Sequence, residues 1–230
     1  MSLQQKAVVF DIDGVLAEFV LPFKSFVNNY IPYRIAPTGA QQDWQYRGMS
    51  RAEWDDVWQH VRAGKWDWST LPSLLTVGDT YAIQELRKTG QVTFEYVTNR
   101  EGPQVQAQTA AWLSREGLPQ GRISVVADKV DFITKNVPNV FAIIEDSPAN
   151  IIKYVDGGLG DKLYVRDWPY NREGSLLRDG THLDELDYKA RVSSVAEFCY
   201  AVITAITNRD PETGARLGKV EDPIGTPKKD

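Results

Sequence analysis

Two aspartates close the first apolar run of the chain, in Val8-Val9-Phe10-Asp11-Ile12-Asp13-Gly14. Thr98 and Asn99 follow a second such run, Lys129 lies just past a third, and Glu145-Asp146 end a fourth. Gathered carboxylates repel one another unless a hard cation sits among them, and an all-oxygen ligand set suits Mg²⁺. One carboxylate can then attack phosphorus, while a second, two residues on along an extended turn, protonates the leaving oxygen. A hydroxyl and an ammonium group supply donors to phosphate oxygens. Taken singly, each piece has a plainer reading: Asp-x-Asp-Gly as a turn, Thr98 as a helix cap, Glu145-Asp146 as a solvated loop, Lys129 as a surface lysine. Their coincidence at four successive run ends is what points to a site.

The elements that must position these groups are short and apolar. Ala7–Phe10, Thr93–Val97, Ile123–Val126, Phe141–Ile144 and Leu163–Arg166 read as strands covered on both faces. Helical patterns separate the later ones. Asp79 is read as the cap of a helix carrying Ala82, Ile83 and Leu86, with Gly90 as its stop; Pro103 and Gly117 frame another, with Val105, Trp112 and Leu113 inward; Ser147-Pro148 opens a third, bearing Ile151, Ile152 and Val155. Strands alternating with helices predict an α/β fold, a Rossmann-like parallel sheet with helices on both faces. All the strand ends then share one edge, where open α/β sheets bind ligands. Direction separates two candidate lysines: Lys129 opens a helix at that edge, whereas Lys135 lies about 9 Å further along it.

Ala17 to Val77 breaks the alternation with helical patterning, including the capping box Ser50-x-x-Glu53 ahead of Trp54, Val57, Trp58 and Val61. The expected division is a core of residues 1–16 and 78–207, a helical cap of residues 17–77, and a flexible tail of residues 208–230 rich in Pro, Gly and charge. The cap is aromatic: Phe19, Phe23, Phe26, Trp44, Trp54, Trp58, Trp66 and Trp68. Trp54 and Trp58 are read as cap core. Trp66 and Trp68, outside that helix, suit either base stacking or hinge packing. His60 and His182 are read as surface residues.

The set Asp11-Ile12-Asp13-Gly14, Thr98, Lys129 and Glu145-Asp146 resembles, in order and placement, the four motifs of the haloacid dehalogenase superfamily of phosphotransferases. That resemblance implies Asp11 as nucleophile and Asp13 as acid and base. It implies Asp146 as the principal carboxylate ligand of Mg²⁺, Glu145 approaching the same ion, and the Asp13 carbonyl completing the ligation. It implies Thr98, Asn99 and Lys129 as phosphate-binding groups. Within the superfamily, Asp11 to Phe19 and Pro169-Tyr170-Asn171-Arg172 are similar to the 5′(3′)-deoxyribonucleotidases, in which the aromatic at the Phe19 position packs against the base. Thr98-Asn99-Arg100 replaces the Thr-Ser-Pro usual there, Glu145 replaces an Asp, and the Asn-Arg pair resembles acid phosphatases and polynucleotide 3′-phosphatases. Phe19, Trp66, Trp68 and Arg100 are the expected substrate-side residues.

The implied partner is a small phosphorylated substrate, first of all a deoxynucleoside monophosphate. The alternatives are a sugar-phosphate phosphatase or mutase, and a 3′-phosphatase of nucleic-acid ends. A phospho-accepting receiver module also gathers Asp, Thr and Lys at strand ends, but its phospho-acceptor follows a central strand. The 230 residues carry a net charge of −5, which argues against a duplex nucleic acid as partner. Cys199 is the single cysteine, so neither an intramolecular disulfide nor a cysteine metal cluster is available. No signal peptide or spanning segment is evident, so no membrane partner is expected and the cytoplasm is the default location. A homodimer is compatible with the sequence, which carries no signal for or against one.

Overall fold

Alternate residues of the first strand, β1 (Lys6–Phe10), feed two different cores. Val8 and Phe10 enter one apolar cluster; Ala7 and Val9 enter another on the opposite face. That two-sided burial is why the strand reads as an unbroken apolar run. The computed structural model describes residues 5–31, 49–172 and 183–208. Trp44, His182 and the expected tail beyond Asn208 lie outside them.

β1 pairs in parallel with β2 (Val92–Thr98) on one side and β4 (Val140–Glu145) on the other. β3 (Arg122–Val125), β5 (Leu163–Arg166) and β6 (Ala190–Val192) complete a six-stranded sheet of order β3-β2-β1-β4-β5-β6. The five expected strands match to within a residue or so at each end. β6 is the addition, a three-residue strand too short to announce itself. The direction of winding reverses between β1 and β4, which is where such sheets open a crevice at their carboxyl edge. Helices α3 (Val77–Lys88), α4 (Val105–Arg115) and α7 (Val195–Thr207) cover one face, and α5 (Lys129–Asn136) and α6 (Pro148–Asp156) the other. Thr76, rather than Asp79, caps α3. The Thr76 hydroxyl accepts the Asp79 amide while the Asp79 carboxylate accepts the Thr76 amide and hydroxyl, a capping box the sequence analysis missed.

Between β1 and α3 the chain makes α1 (Val20–Asn28) and α2 (Arg51–Arg62), and a 3-10 turn at Trp68–Thr70. Ser50 and Glu53 form the expected capping box on α2. The two stems of this insertion pair back to back: the Glu18 amide donates to Pro72 O and the Leu74 amide to Leu16 O. Its buried residues, Phe23, Val57, Val61, Trp66 and Trp68 among them, belong to the same apolar cluster as Phe10, Phe94 and Trp112. Among the described residues no helix is long and apolar enough to cross a membrane.

Candidate active site

Asp11 takes the first position past β1, and its neighbours converge on one oxygen. The Ile12 amide donates to Oδ1 at 2.7 Å, and Lys129 Nζ approaches the same atom at 2.6 Å. Lys129 is the first residue of α5, whose cap Asp128 accepts the Asp131 amide. Its ammonium also pairs with Glu145 Oε2 at 2.9 Å. Glu145 Oε1 accepts the amides of Asp146 and Ser147, so this side chain anchors the loop that follows β4. Lys135, by contrast, is exposed and, among the described residues, pairs with Asp131, one turn back on its own helix.

Burial dominates the electrostatics here. Loss of water pushes the Asp11 carboxyl well up, aided by Glu145 and only partly opposed by Lys129. Burial and then Glu145 push Asp146 up to about 8. Glu145 moves the other way, because Lys129 and the hydrogen bonds it accepts outweigh its burial. Burial alone would lower the Lys129 ammonium, yet Asp11 and Glu145 overcome it and hold the lysine charged. Oxygens of Asp11, Glu145 and Asp146 lie within 4.8 Å of one another, and the buried Asp146 Oδ1 has no hydrogen-bond partner among the described residues. A carboxylate cluster in which burial and the neighbouring Glu145 push Asp11 and Asp146 up, with one buried oxygen unpartnered among the described residues, fits a small hard cation with oxygen ligands.

Asp13 turns away from that cluster. Its carboxylate accepts from Arg100 Nε at 2.9 Å and Nη2 at 2.8 Å, and Thr98 Oγ1 stands 3.4 Å away. Two expected site residues are tied into the protein here, although both also border the cavity over this edge. Arg100, expected to face a substrate, has its guanidinium buried against Asp13 and Thr109. Asn99, expected to bind phosphate, spends its amide on Val126 O and Ala127 O, tying the β2 loop to the β3 loop.

The turn after β5 supplies residues to which the sequence analysis gave no role. Trp168 Nε1 donates to Gly14 O, the Tyr170 hydroxyl to Asp146 Oδ2, and Asn171 Nδ2 to Asp146 O. Their signal was the run Pro169 to Arg172, sitting just past a strand on the same sheet edge as the acids. Gly14 has φ +84, and a Cβ there would collide with the Asp146 carboxylate, so only glycine lets the β1 and β4 loops meet.

Above this floor opens a cavity of about 530 Å³, lined by Asp11, Asp13, Lys129 and Asp146 below and by Phe19, Trp58 and Trp68 above. Trp66 does not line it. Its ring stands edge-on to Phe19, Phe23, Phe26 and Trp68, inside the aromatic cluster. Trp58, read as cap core, does line it, together with Asp55 and Arg62 from the same helix. Phe19 lines the cavity while stacking on Phe23 and Trp68.

A family model described as the N-terminal glycosyl-hydrolase-114-associated domain matches residues 30–109, under half of the chain and short of Lys129, Glu145 and Asp146. No curated protein matches. Among solved structures, a HAD family hydrolase from Deinococcus radiodurans with bound phosphate and sodium superposes with a TM-score of 0.55 at 17% identity, covering 90% of this chain and 98% of that one. A protein described as a beta-phosphoglucomutase from Bacteroides vulgatus gives 0.54 at 18% identity, over 90% of each chain. A haloacid dehalogenase-like hydrolase from Burkholderia xenovorans gives 0.51 at 9%, over 85% and 98%. The six-stranded parallel sheet and its covering helices thus form the α/β fold found in haloacid dehalogenase-like hydrolases.

Proposed function

We propose that this chain is a Mg²⁺-dependent phosphomonoesterase working through an aspartyl-phosphate on Asp11, with a deoxynucleoside monophosphate as substrate and the helical insertion as its cap. The observation that carries the reading is the buried Lys129 ammonium, which spans Asp11 and Glu145 beneath a cavity open to a ligand. A structural ion pair has no need to sit at the floor of a cavity beside a carboxylate oxygen that has no partner among the described residues. Asp11, Asp146 and the Asp13 carbonyl would hold the ion, with Glu145 behind them. When bound, it supplies the positive charge that lets these carboxylates and a phosphate share one site.

Asp11 attacks phosphorus, a P–O bond forms to its carboxylate, and the bond to the leaving oxygen breaks. Asp13 gives that oxygen a proton. It then takes one from the water that cleaves the aspartyl-phosphate, so Asp11 is regenerated and inorganic phosphate leaves. Lys129 and Thr98 hold phosphate oxygens, and Lys129 also keeps Asp11 in its rotamer. Phe19, Trp58 and Trp68 offer flat apolar surface on the side where the leaving group must lie.

A second reading, a phosphatase or mutase of sugar phosphates, is favoured by the polar groups Asp55, Arg62 and Asn150 around the same cavity. The Bacteroides vulgatus protein of the same fold is described as a beta-phosphoglucomutase. Phosphate release from a panel of nucleoside monophosphates and sugar phosphates decides between the two. Turnover should be fastest on deoxynucleotides, vanish with chelator, and vanish in a folded Asp11→Asn variant. Preference for sugar phosphates would transfer the assignment to the second reading, and near-native turnover by Asp11→Asn would sink both.

A further inference from the structure

Asp13 is aimed from outside the loop that carries it. Both of its oxygens accept from a single guanidinium, Arg100 Nη2 to Oδ1 and Nε to Oδ2. The Arg100 side chain is 0% exposed, while that of Asp13 is 21% exposed and faces the cavity. The remaining corner of the fork donates to Thr109 Oγ1 at 3.1 Å. Two indole rings flank the guanidinium, Trp68 with its centroid at 5.0 Å and Trp112 at 5.9 Å. Trp112 belongs to α4; Trp68 belongs to the insertion.

The insertion grips the loop carrying Arg100 at three further points. Trp68 Nε1 donates to Glu101 O at 2.7 Å, and Arg62 of α2 pairs with the Glu101 carboxylate at 3.0 Å. Gly102, at φ +125, brings the backbone so close to Val61 that a Cβ would stand 3.3 Å from its carbonyl oxygen. A planar fork fixes both the place and the rotation of a carboxylate, which the point charge of a lysine does not. A carboxylate has about four lone-pair sites, so two bonds from Arg100 leave Asp13 able to serve a leaving oxygen as well.

We propose that Arg100 is a positioning residue for Asp13, and that the insertion sets Arg100 through Trp68 and Glu101. Seating of the insertion on the β2 loop then aims the proton donor. Arg100 borders the cavity, but its guanidinium is spent on Asp13 and Thr109. The inference rests on Asp13 being the acid of the proposed phosphatase.

Two esters test it: 4-nitrophenyl phosphate, whose leaving oxygen needs little help, and glycerol 2-phosphate, whose alkoxide needs a proton. The readout is the ratio of their turnover numbers. Asp13→Asn should raise that ratio by about 10²-fold or more in favour of the nitrophenyl ester. Arg100→Lys should raise it by at least roughly tenfold, with KM for either ester little changed, since a misplaced group costs turnover. The double variant should match Asp13→Asn alone, because two residues acting through one group are not additive. Trp68→Phe keeps a ring over the guanidinium but drops the bond to Glu101, and should raise the ratio by a few-fold. If Arg100→Lys slows both esters equally, or the double variant multiplies the losses, Arg100 does not act through Asp13. The inference then fails while the phosphatase reading stands. If Asp13→Asn leaves the ratio unchanged, the acid assignment fails, and the inference with it. Should Arg100→Lys not fold, an unchanged ratio in Trp68→Phe overturns the proposal.

Discussion

Asp11, Lys129, Glu145 and Asp146 meet at the sheet edge through ion pairs and hydrogen bonds, whereas across the cavity Phe19, Phe23, Trp66 and Trp68 meet ring to ring. The first group consists of charges taken out of water, each tolerable only because the others are present. The second is held by area and shape, with rings 4.6 to 6.2 Å apart in offset or edge-on pairs. A charged floor therefore fails as a unit when one member is lost. An aromatic roof loses stability in proportion to what is removed, and its members can differ in role while looking alike.

The sharpest break should come at the floor. Lys129→Ala leaves Asp11 and Glu145 buried without their cation and should cost about 3–5 kcal/mol of stability, read from denaturant midpoints, along with phosphatase turnover. Lys135→Ala, on the exposed side of the same helix, should change neither. Equal effects at the two lysines would mean that the floor is not the coupled unit described here.

In the roof, two tryptophans should separate. Trp66→Ala removes a buried ring that does not itself line the cavity and should cost about 3–5 kcal/mol, with turnover of every ester altered alike in the folded fraction. Trp58→Ala should instead raise KM for nucleoside monophosphates by roughly 5- to 150-fold, the worth of one stacked base, while sparing an ester that lacks a base. A variant pair that behaves identically on both substrates would reduce the roof to packing alone.

The smallest test compares like with like, since α2 and α3 each open on a capping box. Ser50→Ala in α2 and Thr76→Ala in α3 should each cost about 1 kcal/mol of global stability, because one apolar cluster joins the insertion to the sheet. If Ser50→Ala loosens only the α2 amides in hydrogen exchange and leaves the global midpoint alone, the insertion opens independently of the core.

Legibility followed the same divide. Apolar runs mark the strands, so β1 to β5 could be read directly; Lys129 lies beside Asp11 and Glu145, while Lys135 is exposed further along α5. β6 escaped because three residues, Ala190 to Val192, carry too little pattern. Thr76 escaped because a capping box with Asp79 at its third position looks the same as Asp79 capping the helix itself. Helical spacing on α2 grouped Trp58 with Val57 and Val61, yet Val57 and Val61 are buried while Trp58 lines the cavity. Periodicity marks the apolar face of a helix but not whether its margin meets protein or an opening.

The sequence by itself determined which strand ends bear carboxylates, hydroxyl and ammonium, and a parallel sheet necessarily brings those ends to one edge. Local pattern carries that information because burial of a strand depends on its own residues. Only the tertiary structure decided how the gathered groups pair. Arg100 turns inward to Asp13, Glu145 takes Lys129, and Tyr170 and Trp168 arrive from beyond β5 to hold Asp146 and Gly14. Those pairings join residues far apart in the chain, and each is selected by the cost of leaving a buried polar group without a partner, a cost that exists only once the chain has closed around it.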